Sequence, residues 1–286
     1  MRSILIAAIL TTMAASNSAM AGELFLVPVG EGEMKLLIRE PGRTMGSCHW
    51  SPDGKKITFD TWGPKEDLHD SKVGVYDLET GKWTTVGEGA MPKFSPDSKQ
   101  IVCHTYSPNQ IVVLDVDGTG REAVFDQWGA PWFDPEGTGI FTCSTQGIRR
   151  FDLRTGKQDI VAARGESFHW GYSVSPTGNG FCFAARSGPG VGVAMKDEAG
   201  RYRTRWKWPD LVSKWSTWSP DGKRIVAEQR VGSEKKPKAL VYLDPFEDKE
   251  PELLPGSGTK WKGHCPAWSP DGKWIVCSGT SNLPDP

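Results

Sequence analysis

Histidine and tryptophan are the residue types in this sequence that could hold a ligand. The 286 residues include five histidines and 13 tryptophans. Neutral imidazole is a common ligand of transition metals, and indole rings offer a large contact area. His49, His169 and His264 could together bind one metal ion, although none of them belongs to an H-x-x-x-H or H-E-x-x-H pair. For each histidine, a loop position with an ordinary hydrogen bond is the alternative.

Motifs of other enzyme classes are missing. The sequence has no G-x-S-x-G nucleophile elbow, no phosphate-binding G-x-x-x-x-G-K-[ST] loop and no C-x-x-C pair. Residues 115–120 are rich in Asp and Gly, but the first glycine falls at position 4, where an EF-hand calcium loop needs it at position 6. We therefore predict a plain hairpin turn there, and we expect no cofactor.

The residues that could bind a ligand are spread over a repeat with a period of about 40–45 residues, which is typical of β-propeller blades. The turn motif of this repeat, Trp-Ser-Pro-Asp-Gly in its clearest form, begins at Trp50, Trp218 and Trp268, with weaker copies at Phe94, Phe133 and Val174. Pro fixes the first turn position, Asp accepts backbone N–H groups and Gly takes a left-handed conformation. Each copy therefore predicts a tight turn between two strands.

Two hairpins in each repeat make a four-stranded blade, whose strands we name a to d from the axis outwards. The last copy of the motif leaves too little sequence for four strands. Residues 23–29 and 34–38 have strand patterning and could supply strands c and d of that blade. We therefore predict an all-β fold, a six-bladed β-propeller of four-stranded blades whose ring is closed by N-terminal strands completing the last blade.

A ring of this kind has two different faces. The turn motifs connect strands a and b, so they mark one face, named here the turn face. The d–a and b–c connections meet on the other face, named here the funnel face, and loops on a rigid scaffold are common binding sites. The residues predicted to bind a ligand there are Trp62, Trp128, Trp170, Trp215, Trp261, His169 and His264. Packing beneath a loop is the alternative for each tryptophan, and His49 is predicted to lie deeper, near the axis.

The first 21 residues have the pattern of a secretory signal peptide. Arg2 gives a positive start, the apolar run that follows is too short to span a bilayer, and Ala19-Met20-Ala21 fits a cleavage site. We predict residues 1–21 to be the signal peptide and residues 22–286 to be the propeller. The mature protein would then be soluble, without a membrane span, and periplasmic or secreted. A buried N-terminal helix is the alternative.

Six turn motifs after a secretion signal resemble the TolB-like, WD-repeat-like propeller family, over essentially the whole mature chain. The motif residues are structural, so the resemblance implies a fold and assigns no chemistry to them. TolB-like propellers serve as interaction modules in cell-envelope complexes, which implies a binding role here. Oligogalacturonate lyases, secreted propellers of the same broad superfamily, hold a metal on histidines above the funnel, but the chain appears shorter than these enzymes.

The charge balance argues against nucleic acid as a partner. The sequence has 34 Lys and Arg against 35 Asp and Glu, a net charge of −1. Nucleic-acid binding proteins usually carry a basic excess. We expect a monomer whose partner is an envelope protein, a peptide or a glycan.

Six cysteines in an exported protein could form disulfides. Cys103 and Cys277 share one position of strand b that is predicted to be buried between blades, and Cys143 and Cys182 lie one residue to either side of it. Cys265, on a strand a, could face Cys277 across the hairpin, so this pair is the best disulfide candidate. Buried free thiols are the default expectation for all six.

Two functions follow from these observations. We expect a non-catalytic binding or scaffold module in the cell envelope. The alternative is a metal-dependent carbohydrate-active enzyme resembling oligogalacturonate lyase, with the metal on His49, His169 and His264.

Overall fold

The computed structural model describes residues 22–127, 129–144, 146–162, 171–184, 190–229 and 239–285. In these ranges the backbone forms six four-stranded antiparallel sheets, which are the blades of a propeller ring. The predicted all-β, six-bladed propeller is therefore confirmed. Residues 1–21, where a signal peptide is predicted, lie outside the described ranges.

The two inner strands of every blade flank a turn motif. The a strands, which surround the axis, are β3 (Thr44–Trp50), β7 (Ala90–Phe94), β11 (Trp132–Phe133), β15 (Ser173–Val174), β19 (Ser216–Trp218) and β23 (Lys262–Trp268). The b strands that follow them are β4 (Lys56–Trp62), β8 (Gln100–Tyr106), β12 (Gly139–Ser144), β16 (Gly180–Ala184), β20 (Ile225–Gln229) and β24 (Trp274–Thr280). Blades are numbered 1 to 6 in this order.

The two outer strands complete each blade. The c strands are β5 (Lys72–Asp77), β9 (Asn109–Asp115), β13 (Gly147–Asp152), β17 (Val191–Lys196), β21 (Ala239–Leu243) and, for blade 6, β1 (Glu23–Pro28). The d strands are β6 (Lys82–Glu88), β10 (Arg121–Phe125), β14 (Gln158–Ala162), β18 (Tyr202–Trp208), β22 (Glu252–Leu253) and, for blade 6, β2 (Lys35–Arg39). A single 3-10 turn, Leu68–Asp70, interrupts the connection between β4 and β5. Among the described residues no helix has the length and apolar character needed to cross a membrane.

Blade 6 is built from both ends of the described chain. Strand β1 pairs antiparallel with β24, from Glu23 opposite Gly279 to Pro28 opposite Trp274, and β2 pairs with the other edge of β1. The prediction that N-terminal strands complete the last blade is confirmed. The ring is thus closed by a ladder of backbone hydrogen bonds rather than by side-chain packing alone.

The turn motif forms the same hydrogen bonds in each clear copy. In blade 1, Ser51 Oγ donates to Asp53 Oδ1 at 2.6 Å, and that carboxylate oxygen accepts the N–H of Lys55 at 3.0 Å. Gly54 has φ of +74°, a left-handed conformation that suits glycine. Ser219 with Asp221, and Ser269 with Asp271, repeat the side-chain bond. The motif residues hold the turns, in agreement with their prediction as structural.

The apolar side chains of the described residues form six clusters, each lying mainly between neighbouring blades. Strand β1 shows how a strand serves two of them. Leu24 and Leu26 pack towards blade 1, and the alternate residues Phe25 and Val27 pack towards blade 5. This alternation follows from the two-residue period of a strand. Each blade is consequently stabilised by both neighbours.

A polar contact fastens the C-terminal segment to blade 6. The carboxylate of Glu23, which is buried, accepts the N–H and the hydroxyl of Ser281, both at 2.8 Å, and the Nε–H of Arg39 at 2.9 Å. Arg39 also donates to the carbonyl of Leu283 at 2.7 Å and pairs with Asp285. Residues on three segments of blade 6 therefore meet at one carboxylate.

We expect Glu23→Ala to destabilise the ring, because it removes the charged acceptor of the Ser281 N–H and hydroxyl and of the Arg39 Nε–H. Loss of such a charged acceptor costs about 2–4 kcal/mol. Urea unfolding followed by tryptophan fluorescence measures the change. Glu33→Ala, at an exposed position in the turn between β1 and β2, is the control and should leave the midpoint unchanged. Equal stability of both variants would contradict this role for Glu23.

Candidate functional site

One repeat position in each blade faces the central axis. It is the residue directly before the first residue of the turn motif. Five of the six residues at this position line a cavity on the axis, namely His49, Lys93, Trp132, Thr217 and Ala267. One position of the repeat therefore supplies much of the chemistry of the axis, with a different residue type in each of these blades.

The axial cavity has a polar half and an aromatic half. Blades 6, 1 and 2 contribute Cys265, Ser47, Cys48, His49 and Lys93. Blades 3, 4 and 5 contribute the aromatic rings of Trp132, Tyr172 and Trp215. The cavity has a volume of about 20 Å³, within a larger space of about 310 Å³ that includes open solvent. Its deep part therefore has room for about one water molecule.

The polar half is shaped by three β-bulges. The register of strand a shifts in blades 6, 1 and 2, between His264 and Ala267, Gly46 and His49, and Ala90 and Lys93. Each bulge contains a residue in the left-handed conformation, and these are Cys265 (φ +48°), Ser47 (φ +46°) and Met91 (φ +56°). Such a conformation costs about 1–3 kcal/mol for a residue other than glycine, and bulges are common beside functional sites.

Two buried carboxylates hold two of these bulges. Asp60 on β4 accepts the N–H of Met91 at 2.9 Å, and Glu228 on β20 accepts the N–H of Cys265 at 3.0 Å. Asp60 follows Trp50, and Glu228 follows Trp218, by the same interval. Each carboxylate thus reaches from strand b of one blade to the bulge of the next blade. Burial raises the pKa of Asp60, against the hydrogen bonds from Met91 and Ser47 that lower it.

Lys93 is a buried ammonium on the wall of the cavity, with 6% of its surface exposed. Its Nζ donates to the carbonyl of Pro92 at 3.1 Å and lies 5.1 Å from the centre of the Trp132 ring. Among the described residues it forms no ion pair, and Asp60 acts on it only at longer range. Burial lowers the pKa of Lys93 to about 8. The ammonium therefore has hydrogen-bonding capacity left towards the cavity.

The two described histidines of the predicted metal set have different partners. His49 Nδ1 accepts the N–H of Phe94 at 3.1 Å, and its ring lies edge-to-face on Trp132 at 5.1 Å. Burial lowers the pKa of His49 well below its ordinary value, so the ring is neutral. His264 places Nδ1 at 3.5 Å from the Glu228 carboxylate. His49 thus lies at the axis, as predicted, whereas His264 lies beside Glu228, the buried carboxylate of blade 5.

The predicted metal set is only partly described. His169 lies outside the described ranges. Within those ranges, no three His, Cys, Asp or Glu side chains come together in a way that could hold a metal ion. The site on His49, His169 and His264 therefore stays a prediction.

The predicted tryptophans occupy different environments. Trp62 ends β4, and Trp215 directly precedes β19 and lines the axial cavity; both are half-buried. Trp261 is 3% exposed, lies edge-to-face on Phe25 at 5.9 Å, and donates its indole N–H to Pro255 at 3.2 Å. Trp261 therefore packs in the interface between blades 5 and 6, and its predicted ligand contact remains untested. Trp128 and Trp170 lie outside the described ranges.

All six cysteines are buried and free, as expected by default, and the candidate disulfide between Cys265 and Cys277 is not formed. The bulge takes Cys265 out of the ladder and places it on the wall of the axial cavity. Cys277 lies instead in the cluster between blades 5 and 6, as predicted for its strand position. Burial raises the pKa of every thiol, to about 12 for Cys48 and Cys103, for example.

Several residues of this site were not predicted from the sequence. Lys93, Trp132 and Tyr172 line the cavity, and Asp60 and Glu228 support it, but none of them was predicted to do so. For three of them, the sequence contains a feature that could have indicated a site residue. Lys93 is a charge within the otherwise apolar β7, and the two carboxylates stand at the same repeat position within apolar b strands. Tyr172 and Trp132 carry no comparable signal, because aromatic residues are frequent throughout the repeat.

We expect Lys93→Met to stabilise the protein by about 1–3 kcal/mol at pH 7, because it removes a buried charge. In the unfolded chain this lysine has its ordinary pKa near 10.5, whereas it is about 8 in the folded protein. Between these values the unfolded state binds more protons, so the stability of the wild type rises with pH and the advantage of the variant shrinks. Urea unfolding of both proteins at pH 7 and pH 10 measures this. A destabilised variant at pH 7 would contradict the expected cost.

We expect no cysteine to react with a soluble thiol reagent at pH 8 in the folded protein, because all six are buried and their thiols stay protonated. All six should react after unfolding in guanidinium chloride without a reductant. The absorbance of the thiolate released from the reagent measures the number of reactive cysteines in the folded and in the unfolded protein. Fewer than six reactive thiols in the unfolded, unreduced protein would show that a disulfide forms.

Solved structures share the fold of this chain. TolB from Acinetobacter baumannii superimposes with a TM-score of 0.70 at 21% identity, over 88% of this chain and 64% of the Acinetobacter chain. A putative TolB from Agrobacterium tumefaciens gives 0.69 at 14% identity, over 93% of this chain and 100% of that one. An oligogalacturonate lyase in complex with manganese gives 0.53 at 13% identity, over 87% and 80% of the two chains.

These likenesses concern the fold alone, since all identities are low. The chain spans 64% of the length of the Acinetobacter protein. Neither a protein-family model nor a curated protein sequence matches the chain. Six closed four-stranded blades and the two TolB superpositions agree with the resemblance seen in the turn motifs. The chain has the six-bladed β-propeller fold of the TolB proteins.

Proposed function

We propose that this protein is an exported, non-catalytic binding module of the cell envelope that holds a protein, peptide or glycan on its funnel face. The observation that carries the proposal is the axial cavity, in which six blades bring together aromatic rings and hydrogen-bonding groups. Binding sites of this kind combine apolar walls with a few placed polar groups. The TolB-like fold supports a binding or scaffold role.

The aromatic half of the cavity supplies the contact area for such a ligand. Trp132 and Trp215 line it and are half-buried, so each has a surface that a ligand can cover. Trp62 ends a strand b and is also half-buried, on the rim where the b–c connections lie. Partly exposed tryptophans are enriched among residues that dominate binding free energy. We take the rim at Trp62 and the axial cavity together as the candidate surface.

The predicted signal peptide in residues 1–21 supports export to the periplasm or beyond. The balanced charge supports a partner other than nucleic acid. We propose that the protein acts as a monomer, since β1 of the same chain pairs with the edge of β24 and the ring needs no second copy to close.

The alternative function, that of a metal-dependent lyase, has weaker support. The lyase structure superimposes with a TM-score of 0.53, against 0.70 for the Acinetobacter TolB. His49 has one ring nitrogen occupied by the Phe94 N–H, and His264 lies beside Glu228.

We expect the double variant Trp62→Ala, Trp215→Ala to lose at least about tenfold in affinity for its envelope ligand, because both rings lie on the proposed contact surface. The immobilised mature protein is exposed to envelope extract, and the bound protein and glycan are quantified separately, with and without protease treatment of the extract. Binding that resists protease indicates a glycan, and binding lost with protease indicates a protein or peptide.

Trp274→Ala is the matched control for this experiment. Trp274 is also half-buried, but it begins β24 beside a turn motif, on the turn face, with Lys35 Nζ at 4.7 Å from its ring centre. Its variant should bind as the wild type does. Equal binding by the double variant and the control, with both folded cooperatively, would place the ligand elsewhere.

A further inference from the structure

We propose that the axial cavity is a binding site for a carboxylate group, held by the ammonium of Lys93, the hydroxyl of Tyr172 and the imidazole N–H of His49. This inference deepens the proposed binding function and rests on it for the place of the ligand. It adds the chemical class of group that the axis recognises.

Tyr172 provides the first independent observation. Its side chain is buried and lines the cavity, and its hydroxyl has no hydrogen-bond partner among the described residues. A buried hydroxyl without a partner costs about 1–3 kcal/mol. In the proposed site, an acceptor oxygen of the ligand satisfies it. Because the hydroxyl can donate, a group with acceptor oxygens fits this position.

The hydrogen-bond donors of Lys93 and His49 indicate that the ligand group is negatively charged. Lys93 has three ammonium hydrogens and a single hydrogen bond, to the carbonyl of Pro92, among the described residues. His49 accepts the Phe94 N–H on Nδ1, so its neutral ring carries a proton on Nε2 and is a donor there. The cavity is therefore rich in donors, and one of them is cationic. Such a site favours an anion over a neutral or cationic group.

The two nearby carboxylates do not line the cavity in which an anion is proposed to bind. Asp60 and Glu228 lie behind the cavity, and among the described residues none of the groups lining it is a carboxylate. Asp60 accepts the N–H of Met91 and a bond from Ser47, and Glu228 accepts the N–H of Cys265. Each carboxylate therefore has at least one acceptor oxygen occupied by a bulge N–H. The remaining polar groups of the wall include the thiols of Cys48 and Cys265, which burial keeps protonated.

The size of the cavity favours a carboxylate over a larger anion. Its volume of about 20 Å³ fits about one water molecule. One oxygen of a planar carboxylate can take that place while the remainder of the ligand extends into the open space above. A tetrahedral phosphate or sulfate group is bulkier around its central atom. The rings of Trp132 and Trp215 would flank the apolar carbon that bears the carboxylate.

The test uses the purified mature protein and acetate as the probe, with acetamide as a neutral probe of the same shape. Saturation-transfer NMR of the methyl protons measures binding at pH 6.5 in a buffer free of other carboxylates. We expect acetate to bind and acetamide not to bind. Lys93→Met and Tyr172→Phe should each weaken acetate binding, the first by about tenfold or more, as expected for loss of a charged hydrogen bond.

Lys99→Met is the control, since Lys99 is exposed in the turn motif of the same blade. It should bind acetate as the wild type does. Raising the pH from 6.5 to 9.5 should weaken acetate binding to the wild type, because Lys93 loses its proton near pH 8. The titratable groups that interact with Lys93 are Asp60, Cys48, Cys265 and His49. The Lys93→Met variant, titrated in parallel, shows whether the change is caused by Lys93.

The source of the carboxylate is tested with N-acetylglycine and N-acetylglycinamide. Binding of N-acetylglycine but not of its amide supports recognition of a chain-terminal carboxylate. Binding of acetate alone supports a small free carboxylate. No acetate binding, equal binding of acetamide, or unchanged binding in both Lys93→Met and Tyr172→Phe would overturn the inference. Because no envelope partner is used, this result is independent of the capture experiment with Trp62 and Trp215.

Discussion

The pairing of β1 with β24 is the contact on which the rest of the structure depends, because it turns an open array of blades into a ring. A blade of a propeller buries its faces mainly against its neighbours. Without β1, the clusters on both sides of blade 6 would lose Leu24, Leu26, Phe25 and Val27. The axial cavity is a further consequence of closure, since residues from opposite blades meet there only when the ring is complete.

Within the ring, several stability costs lie together at the axis. Three left-handed residues form bulges, and a buried lysine lies without an ion pair among the described residues. Two carboxylates from neighbouring blades stabilise two of the bulges. Stability costs that collect in one place are typical of functional sites, where binding is favoured over stability.

The fold could be predicted from the sequence because its turns carry local signals. Pro, Asp and Gly at fixed spacing define the turns, and the spacing between copies identifies blades and the missing strands of blade 6. The site was predicted only in part. His49 was expected near the axis and lies there, but the bulge at Cys265 depends on contacts with Glu228 of another blade, far away in sequence. The bulge held by that long-range contact takes Cys265 out of the ladder, and the candidate disulfide with Cys277 is not formed.

Formation of the ring and the lining of the axial cavity depend on different positions of the repeat. The turn residues and the strand b residues between blades determine whether the ring forms. The residue directly before the turn motif contacts the cavity and is His, Lys, Trp, Thr or Ala in different blades. Substitution at these positions changes the lining of the cavity while the frame of the blade stays the same. The chemistry of the axis can therefore change one blade at a time within the same fold.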